Sequence, residues 1–234
     1  MLRRLLPLLV IAALSVGCAA SEAEDDSASS NDALSLTTLS AATCKKPVLK
    51  TKPSTDKVDL PIPGTANTTI AGCIVGKNGE TGKDTIARLS NILGDTQRLG
   101  LVTKPDGATV FAKFTPGATS GSLSTGLVQD VDVTLAMFAS PSSRLRITRH
   151  LGADGVYSIH ITNVTAFRAS LAFVPVTAIL PDDLELSVQM KPEANGLTVT
   201  GNGSVQLQIM RDQASEASEL VHDLFTWLTS ELAK

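Results

Sequence analysis

The sequence predicts an α+β fold, in which a curved antiparallel sheet of about seven to nine strands packs on a long C-terminal helix, with one short helix near the start. Two patterns favour this fold. Apolar and polar residues alternate along several short segments, which is typical of strands with one dry and one wet face. The last segment instead repeats its apolar residues at helical spacing. The alternative is a β-sandwich or an open barrel with an added helix.

The first elements of the body are a strand and a short helix. Residues 65–75 are a mixture of β-branched and small residues, which predicts a strand. Thr81 is followed three residues later by Asp84, a pair that predicts a helix N-cap with a capping box. The helix is expected over about 83–93, from the helical spacing of Ile86, Leu89 and Leu93.

From residue 98 onward the apolar period changes to two. Strands are expected at 98–103 and 109–115, on either side of a turn at Pro105-Asp106-Gly107. Pro175, inside a longer apolar run, predicts a sheet edge or a bulge, because proline cannot donate a ladder hydrogen bond. Further strands are expected at 131–137, 144–148, 156–161, 184–190, 197–199 and 205–209, with a hairpin turn at Gly201-Asn202-Gly203 between the last two.

The last segment, residues 212–233, has the pattern of an amphipathic helix about 33 Å long. An isolated helix gains little stability unless its apolar stripe is buried, so we expect it to pack against the concave face of the sheet. The stripe consists of Ala217, Leu220, Val221, Leu224, Leu228 and Leu232.

This order of elements, over about 64–233, resembles the helix-grip fold of START-like and polyketide-cyclase-like proteins. In that fold a curved sheet wraps the last helix, and an apolar cavity lies between them. The resemblance therefore implies a binding site for an apolar small molecule. The residues that we expect near such a cavity are Met137, Phe167, Phe173, Leu224 and Phe225.

Residues 1–17 have the layout of an export signal, with two arginines before a short apolar run. The segment that ends in Gly17-Cys18 resembles the lipobox of bacterial lipoproteins. The resemblance implies that Cys18 is acylated, with palmitate among the expected acyl chains, and that it becomes the mature N-terminus. With Ala19 next, it also implies a lipid-anchored protein of the cell envelope, at the outer membrane. The alternative is cleavage after Ala20, which would give a secreted or soluble periplasmic protein.

Residues 18–43 carry five acids and no base or aromatic residue, and we expect a disordered tether there. Residues 44–234 are then a single globular domain. Its two cysteines, Cys44 and Cys73, are expected to form a disulfide in an exported protein, although two separate buried thiols are the alternative.

The composition argues against several classes of partner. Residues 44–234 hold 18 basic and 18 acidic residues, so no overall basic field attracts nucleic acid. The segment 76–85 is similar to a phosphate loop, but five residues rather than four separate its outer glycines. Asp84 also replaces the Ser or Thr that would hold magnesium. We therefore expect no nucleotide, no cofactor and no metal.

Candidate catalytic groups are sparse. His150 and His160 flank a hairpin and could share a face, but they lack a close metal-ligand spacing. Two pairs of carboxylates share strand faces, Asp130 with Asp132 and Asp183 with Glu185, and solvated faces explain them. A solvated strand face also explains the small basic spot formed by Arg144, Arg146 and Arg149.

No Gly-x-Ser-x-Gly nucleophile motif occurs in the sequence. Enzyme activity is therefore the less favoured interpretation. The sequence favours a non-catalytic binding module for an apolar ligand, carried by an envelope lipoprotein. A structural or assembly lipoprotein with a filled core is the alternative, and a hydrolase is the third possibility.

Overall fold

The structure is a computed structural model that describes residues 39–40, 44–45, 48–52, 64–103, 107–135, 142–171, 174–208, 223, 227 and 230. The predicted signal peptide, Cys18 and most of the predicted tether lie outside these residues. Four of the five predicted cavity residues, Met137, Phe173, Leu224 and Phe225, also lie outside them. Within the described residues, no helix combines the length and the hydropathy needed to span a membrane.

Strands dominate the described part of the chain. A 13-residue helix, α1, spans Gly82–Gly94, and two 3-10 segments span Lys77–Gly79 and Thr96–Leu101. The strands are β1 (Val48–Lys52), β2 (Gly64–Val75), β3 (Phe111–Ser120), β4 (Leu127–Leu135), β5 (Ser143–Leu151), β6 (Tyr157–Asn163), β7 (Phe167–Leu171), β8 (Val174–Ile179), β9 (Leu184–Glu193) and β10 (Gly196–Leu207).

Eight of these strands form one open sheet in the order β1-β2-β10-β9-β6-β5-β4-β3. All neighbours are antiparallel, and β1 and β3 are the two edges. The remaining strands, β7 and β8, form a separate hairpin. The predicted antiparallel sheet is thus confirmed, and its strand number lies within the predicted range. The hairpin predicted at Gly201-Asn202-Gly203 is wrong, because β10 runs through these residues without a break and pairs with both β9 and β2. Gly201 serves close strand packing there, since a Cβ would lie 2.5 Å from the carbonyl oxygen of Ser187.

Helix α1 begins at the predicted capping box. The backbone N–H of Asp84 donates to Thr81 Oγ1 at 3.2 Å, and the backbone N–H of Thr81 donates to Asp84 Oδ2 at 3.1 Å. The apolar side of α1 packs on β9 and β10. Gly82 makes this approach possible, since a Cβ there would lie 2.5 Å from the backbone N and O of Glu193. The short helix is therefore confirmed, with bounds one residue wider at each end than predicted.

The strand predicted at 98–103 is wrong, because most of this segment is the 3-10 turn Thr96–Leu101. Asp95 explains the difference: its carboxylate Oδ1 accepts from the backbone N–H of Gln97 at 3.2 Å, and its carbonyl accepts from Arg98 at 3.0 Å. Such local bonds compete with strand formation. Pairing survives only as an isolated bridge between Thr103 and Thr109.

The apolar run around Pro175 forms the β7–β8 hairpin, in which Pro175 lies opposite Ser170. A two-stranded sheet consists only of edges, and its register shifts next to Phe167, as the proline predicts. Asn163 joins the ends of this hairpin to the main sheet. Its fully buried amide donates to the carbonyls of Leu180 (2.6 Å) and Thr165 (3.1 Å) and accepts from the N–H of Leu184 (2.8 Å).

Three residues of the predicted C-terminal helix are described, and all three are helical: Asp223, Trp227 and Ser230. Trp227 packs against the hydrophobic core, Asp223 is buried, and the Ser230 hydroxyl donates to the carbonyl of Trp227 at 2.7 Å. The rest of 212–233 lies outside the described residues, so the long helix stays a prediction.

Cys44 and Cys73 form the predicted disulfide, which joins positions 29 residues apart in the chain. The backbone N–H of Cys73 also donates to the carbonyl of Lys45 at 2.9 Å. The backbone carbonyl of Ser40, which lies on the N-terminal side of the predicted domain boundary, accepts a hydrogen bond from the N–H of Cys44 at 2.7 Å. The boundary at residue 43 itself stays a prediction.

Candidate ligand-binding face

The two faces of the main sheet differ sharply in chemistry. Strands β5, β6 and β9 alternate between buried and more exposed residues with a period of two. We call the buried side the inner face and the opposite side the outer face. Apolar side chains of the inner face are Val131, Val133, Leu145, Ile147, Ile159, Ile161, Leu186, Val188, Met190, Leu197, Val199 and Val205.

Short elements contact the inner face near its two ends. Helix α1 contacts β9 and β10 near the β9–β10 turn, and β8 contacts β10 near the opposite end. The backbone N–H of Gln208, just after β10, donates to the carbonyl of Ala178 at 2.8 Å. Phe167, one of the predicted cavity residues, is buried in the core at the start of β7.

The basic spot predicted from Arg144, Arg146 and Arg149 is wrong for Arg149. Arg144 and Arg146 are exposed on the outer face, whereas Arg149 lies on the inner face and is only 4% exposed. Its Nη1 donates to the carbonyl oxygen of Leu93 at 2.8 Å, in the last turn of α1. A cation at this position is favoured by the negative end of the helix dipole. The parity of Leu145 and Ile147 on the same strand is the signal that could have placed Arg149 inside.

Tyr157 and Gln129 are further polar residues of the inner face that the sequence analysis missed. Tyr157 is fully buried, and Gln129 is 7% exposed. Burial raises the pKa of the Tyr157 phenol, while the nearby Arg149 guanidinium acts in the opposite direction. Gln129 Nε2 donates to the carbonyl of Gly117 at 2.9 Å. The inner face therefore combines a large apolar area with a small polar cluster.

The paired aspartates of the outer face are engaged by arginines. Arg144 Nε donates to Asp132 Oδ1, and Arg146 Nε donates to Asp130 Oδ1, both at 2.9 Å. The Arg146 guanidinium lowers the pKa of Asp130, so this carboxyl is not tuned as a general acid. The two pairs border a depression of about 360 Å³ that is also lined by Gly117, Ala118, Ser120 and Val128.

The histidines come close in register but build no metal site in the described residues. His150 lies opposite Ser158, and His160 lies opposite Thr148, so the two histidines are diagonal neighbours on the outer face. His160 Nδ1 lies 3.9 Å from Glu185 Oε1, and no group of three candidate metal ligands occurs in the described part of the chain. A smaller depression of about 280 Å³ lies beside them, lined by Ser187, Gln189, Thr200, Gly201 and Asn202.

No model of a known protein family matches the chain, and no curated protein matches it. Among solved structures, a STAR-related lipid transfer protein fragment from Xanthomonas axonopodis is similar, with a TM-score of 0.42 and 12% identity over 81% of this chain and 100% of that one. The human StarD13 (DLC2) lipid transfer and protein localization domain gives a TM-score of 0.36 and 11% identity, over 77% and 89%. Scores this low assign neither a fold nor a ligand to the chain.

Proposed function

We propose that the chain is a lipid-anchored lipoprotein of the cell envelope, at the outer membrane, whose domain holds an apolar small molecule. The molecule would lie against the inner face, between the sheet and the C-terminal segment, as in a helix-grip fold. The module is non-catalytic in this proposal: it binds and releases its ligand without chemical change.

The chemistry of the inner face is the observation that carries the binding function. Apolar side chains run across six neighbouring strands, from β4 to β2. Elements that contact this surface near its ends are short: α1 has 13 residues and β8 has six. A broad apolar surface covered by short elements suits a site between layers, where apolar ligands are usually bound.

Two observations support the envelope location. The apolar run that ends in Gly17-Cys18 resembles a lipobox, with Ser15 in place of the usual Leu, and it offers Cys18 for acylation. The Cys44–Cys73 pair is joined in the structure, which suits a protein that matures in an oxidising compartment. A reducing cytosol would keep this pair as thiols.

A structural or assembly lipoprotein with a filled interior is the competing function. The observation that favours it is the close burial of the inner face, where Val131, Val188 and Met190 are at most 1% exposed. These residues are covered by protein atoms alone, so a ligand would have to lie elsewhere along the inner face or displace their neighbours. Binding must therefore be measured directly.

The binding experiment uses the full chain with Cys18→Ser, so that no acyl chain of its own competes for the site. Native mass spectrometry of this protein should show a retained small molecule. After organic extraction, the neutral apolar probe diphenylhexatriene should bind saturably and quench the fluorescence of Trp227, the one tryptophan of the chain. No retained molecule together with no saturable binding would instead establish the filled-core alternative.

A matched pair of variants places the probe on one face. Ile147 and Thr148 are neighbours on β5 and point to the inner and outer face, respectively. Ile147→Phe should weaken probe binding, because the larger ring takes space at the inner face, whereas Thr148→Phe should leave it unchanged. Equal effects of the two substitutions would place the probe elsewhere.

Acylation needs its own experiment. In a bacterium that processes lipoproteins, the full chain should incorporate labelled palmitate and fractionate with the outer membrane. Cys18→Ser should abolish the label and release the protein. A mature protein that begins at Ser21 would show that the signal is of the ordinary secretory kind.

A further inference from the structure

One corner of the outer face, next to the β9–β10 turn, carries exposed lysines together with exposed valines. In the register of the sheet, Lys191 on β9 lies opposite Thr198 on β10, which lies opposite Cys73 on β2. The backbone N–H of Cys73 donates to the carbonyl of Lys45, so this row continues to the segment before β1. The exposed residues here, called the basic corner, are Lys45, Lys50, Lys77, Lys191, Val48 and Val75.

The lysines of the basic corner have no anionic partner in the part of the chain that the structure describes. All four are exposed, and none forms an ion pair with a described residue. Two nearby acids are engaged by other groups. Glu193 is 6% exposed and accepts from Thr198 Oγ1 at 3.0 Å, and Glu80 is paired with Arg88 at 3.3 Å. The corner therefore presents positive charge that the fold itself does not pair.

Val48 and Val75 add an apolar component to this charge. They are 55% and 38% exposed, and they are two of the four large apolar side chains that are exposed in the described residues. A single exposed apolar residue needs no explanation, but two among unpaired lysines are typical of a surface that binds a membrane. Lysine ammonium groups attract anionic lipids, and small apolar side chains lie among the head groups.

The predicted anchor joins the domain at the same end of the sheet. The side chain of Asn195, in the β9–β10 turn, bonds to Leu39 twice, and the Cys44–Cys73 disulfide holds the chain again beside the basic corner. Leu39 lies 21 positions after Cys18, and a flexible chain of that length spans about 25 Å on average. This span is close to the radius of a domain of this size. An acylated Cys18 would therefore keep this end of the sheet near the bilayer.

We propose that the basic corner docks on an anionic phospholipid surface, that of the membrane that holds the anchor. The inference rests on the proposed function, which supplies the acylated Cys18. Lys45, Lys50, Lys77 and Lys191 contact lipid phosphates, each strengthening the docking by about fivefold. Val48 and Val75 lie among the head groups, and the β3 edge, on the other side of the sheet, remains in water.

The acidic tether is the other candidate occupant of the basic corner. Its five acids lie within 22–32, and folding back would place them beside the lysines. That segment has no apolar side chain larger than alanine, so it offers nothing to cover Val48 and Val75. A lipid surface satisfies both the lysines and the valines, and it is the occupant that these residues favour.

Lysine footprinting tests the docking on the anchored protein. The full chain, processed by a bacterium that acylates lipoproteins, is added to vesicles of phosphatidylcholine or of equal parts phosphatidylcholine and phosphatidylglycerol. A bilayer-impermeant amine reagent then labels exposed lysines, and mass spectrometry locates the labels. The four lysines of the basic corner should be labelled at least about fivefold more slowly on the anionic vesicles. Lys113, exposed on β3, is the internal control and should react equally on both.

A matched pair of variants tests whether the position of the charge matters. The double substitution Lys50→Glu and Lys191→Glu should restore fast labelling of the two remaining lysines of the basic corner on anionic vesicles. Lys113→Glu with Arg168→Glu makes the same change of net charge at exposed positions outside the corner, and it should leave the protection in place. All four side chains are exposed, so urea unfolding should confirm that both variants fold normally.

The outcomes separate the docking from the anchor. Flotation with both vesicles and equally fast labelling on both would overturn the docking and leave the anchor intact. Equally slow labelling on both, relieved by Asp25→Asn with Asp26→Asn, would also overturn it and identify the tether as the occupant. Flotation with the anionic vesicles alone would support the docking and refute the anchor. If the protein floats with neither vesicle, the anchor and the docking both fail.

Discussion

Leu39 and Asn195 form a reciprocal pair of hydrogen bonds across 156 residues of sequence. The backbone N–H of Leu39 donates to Asn195 Oδ1 at 2.7 Å, and Asn195 Nδ2 donates to the carbonyl of Leu39 at 2.6 Å. Asn195 lies in the β9–β10 turn, so this side chain acts on Leu39 as a neighbouring strand would. Together with the Cys44–Cys73 disulfide, it fixes the segment before β1 to the sheet at two points.

We expect Asn195→Ala to release Leu39 from the turn. Losing two partly buried hydrogen bonds should lower the free energy of unfolding by about 1–3 kcal/mol. Hydrogen exchange should show the amide of Leu39 losing its protection, while β6 keeps its own. Asn202→Ala, at an exposed asparagine of β10, is the control and should change stability by less than about 0.5 kcal/mol. Unchanged protection of Leu39 would contradict the prediction.

The disulfide should contribute strongly to stability. Closing a loop of 29 residues removes about 3–4 kcal/mol of conformational entropy from the unfolded chain in the loop-closure treatment. Urea unfolding with and without reductant should therefore differ by about this amount. Cys44→Ser and Cys73→Ser should each reproduce the reduced curve, and the double substitution should add little. Two titratable thiols in the denatured, unreduced protein would contradict the pairing.

Local signals predicted much of the fold. The capping box of Thr81 and Asp84 located the start of α1, and the period-two alternation located most strands of the main sheet. It did not predict β1, and it divided β10 into two strands at its glycines. The same approach failed at Arg98, since an aspartate that bonds to its own neighbouring backbone favours a 3-10 turn over a strand. A propensity pattern does not include this competition.

The candidate site was less predictable than the fold. Proximity in sequence groups Arg149 with Arg144 and Arg146, although its parity is that of Leu145 and Ile147. The general tendency of charged residues to be exposed conflicts with the alternation at this position. Parity alone would have placed Arg149 inside, but its bond to the Leu93 carbonyl and its proximity to the Tyr157 hydroxyl depend on tertiary contacts. No sequence pattern contains those contacts.

Asn163 should be among the most sensitive positions of the sheet. Its side chain bonds to three backbone groups of the segments that enter and leave the β7–β8 hairpin. Asn163→Leu keeps the size but leaves buried N–H and C=O groups unpaired, at a cost of about 1–3 kcal/mol each. We expect a loss of at least about 3 kcal/mol in urea unfolding. A loss below about 1 kcal/mol would show that water replaces the amide.

Tyr157 allows a clean test of burial, because the chain has one tyrosine. Its pKa is raised above the ordinary value of 10.0, mainly by burial. A raised pKa means that the neutral phenol stabilises the folded state below pH 10.0, and that this contribution is lost as the pH rises through the folded value. The near-ultraviolet absorbance of tyrosinate should therefore appear at a higher pH than for a free tyrosine, and it should rise together with unfolding. Tyr157→Phe should reduce the loss of stability at alkaline pH, and a normal titration midpoint in the folded protein would contradict the burial.

The last prediction concerns the C-terminal segment, where Trp227 packs against the core. Helical spacing places Leu224 on the same side as Trp227, three residues earlier, so we expect Leu224 to be buried against the inner face. Leu224→Ala should then lower the free energy of unfolding by about 2–5 kcal/mol, the usual cost of a large core truncation. Ser230→Ala, at an exposed residue of the same segment, is the matched control and should be close to neutral.

Deleting residues 212–234 tests the same prediction at the level of the fold. Removal of the segment should expose apolar side chains of the inner face and give an insoluble product or one without cooperative unfolding. A truncated chain that stays soluble and unfolds cooperatively would show that the segment is an appendage. In that case the C-terminal segment would not cover the inner face, and a ligand could not be bound between the sheet and this segment.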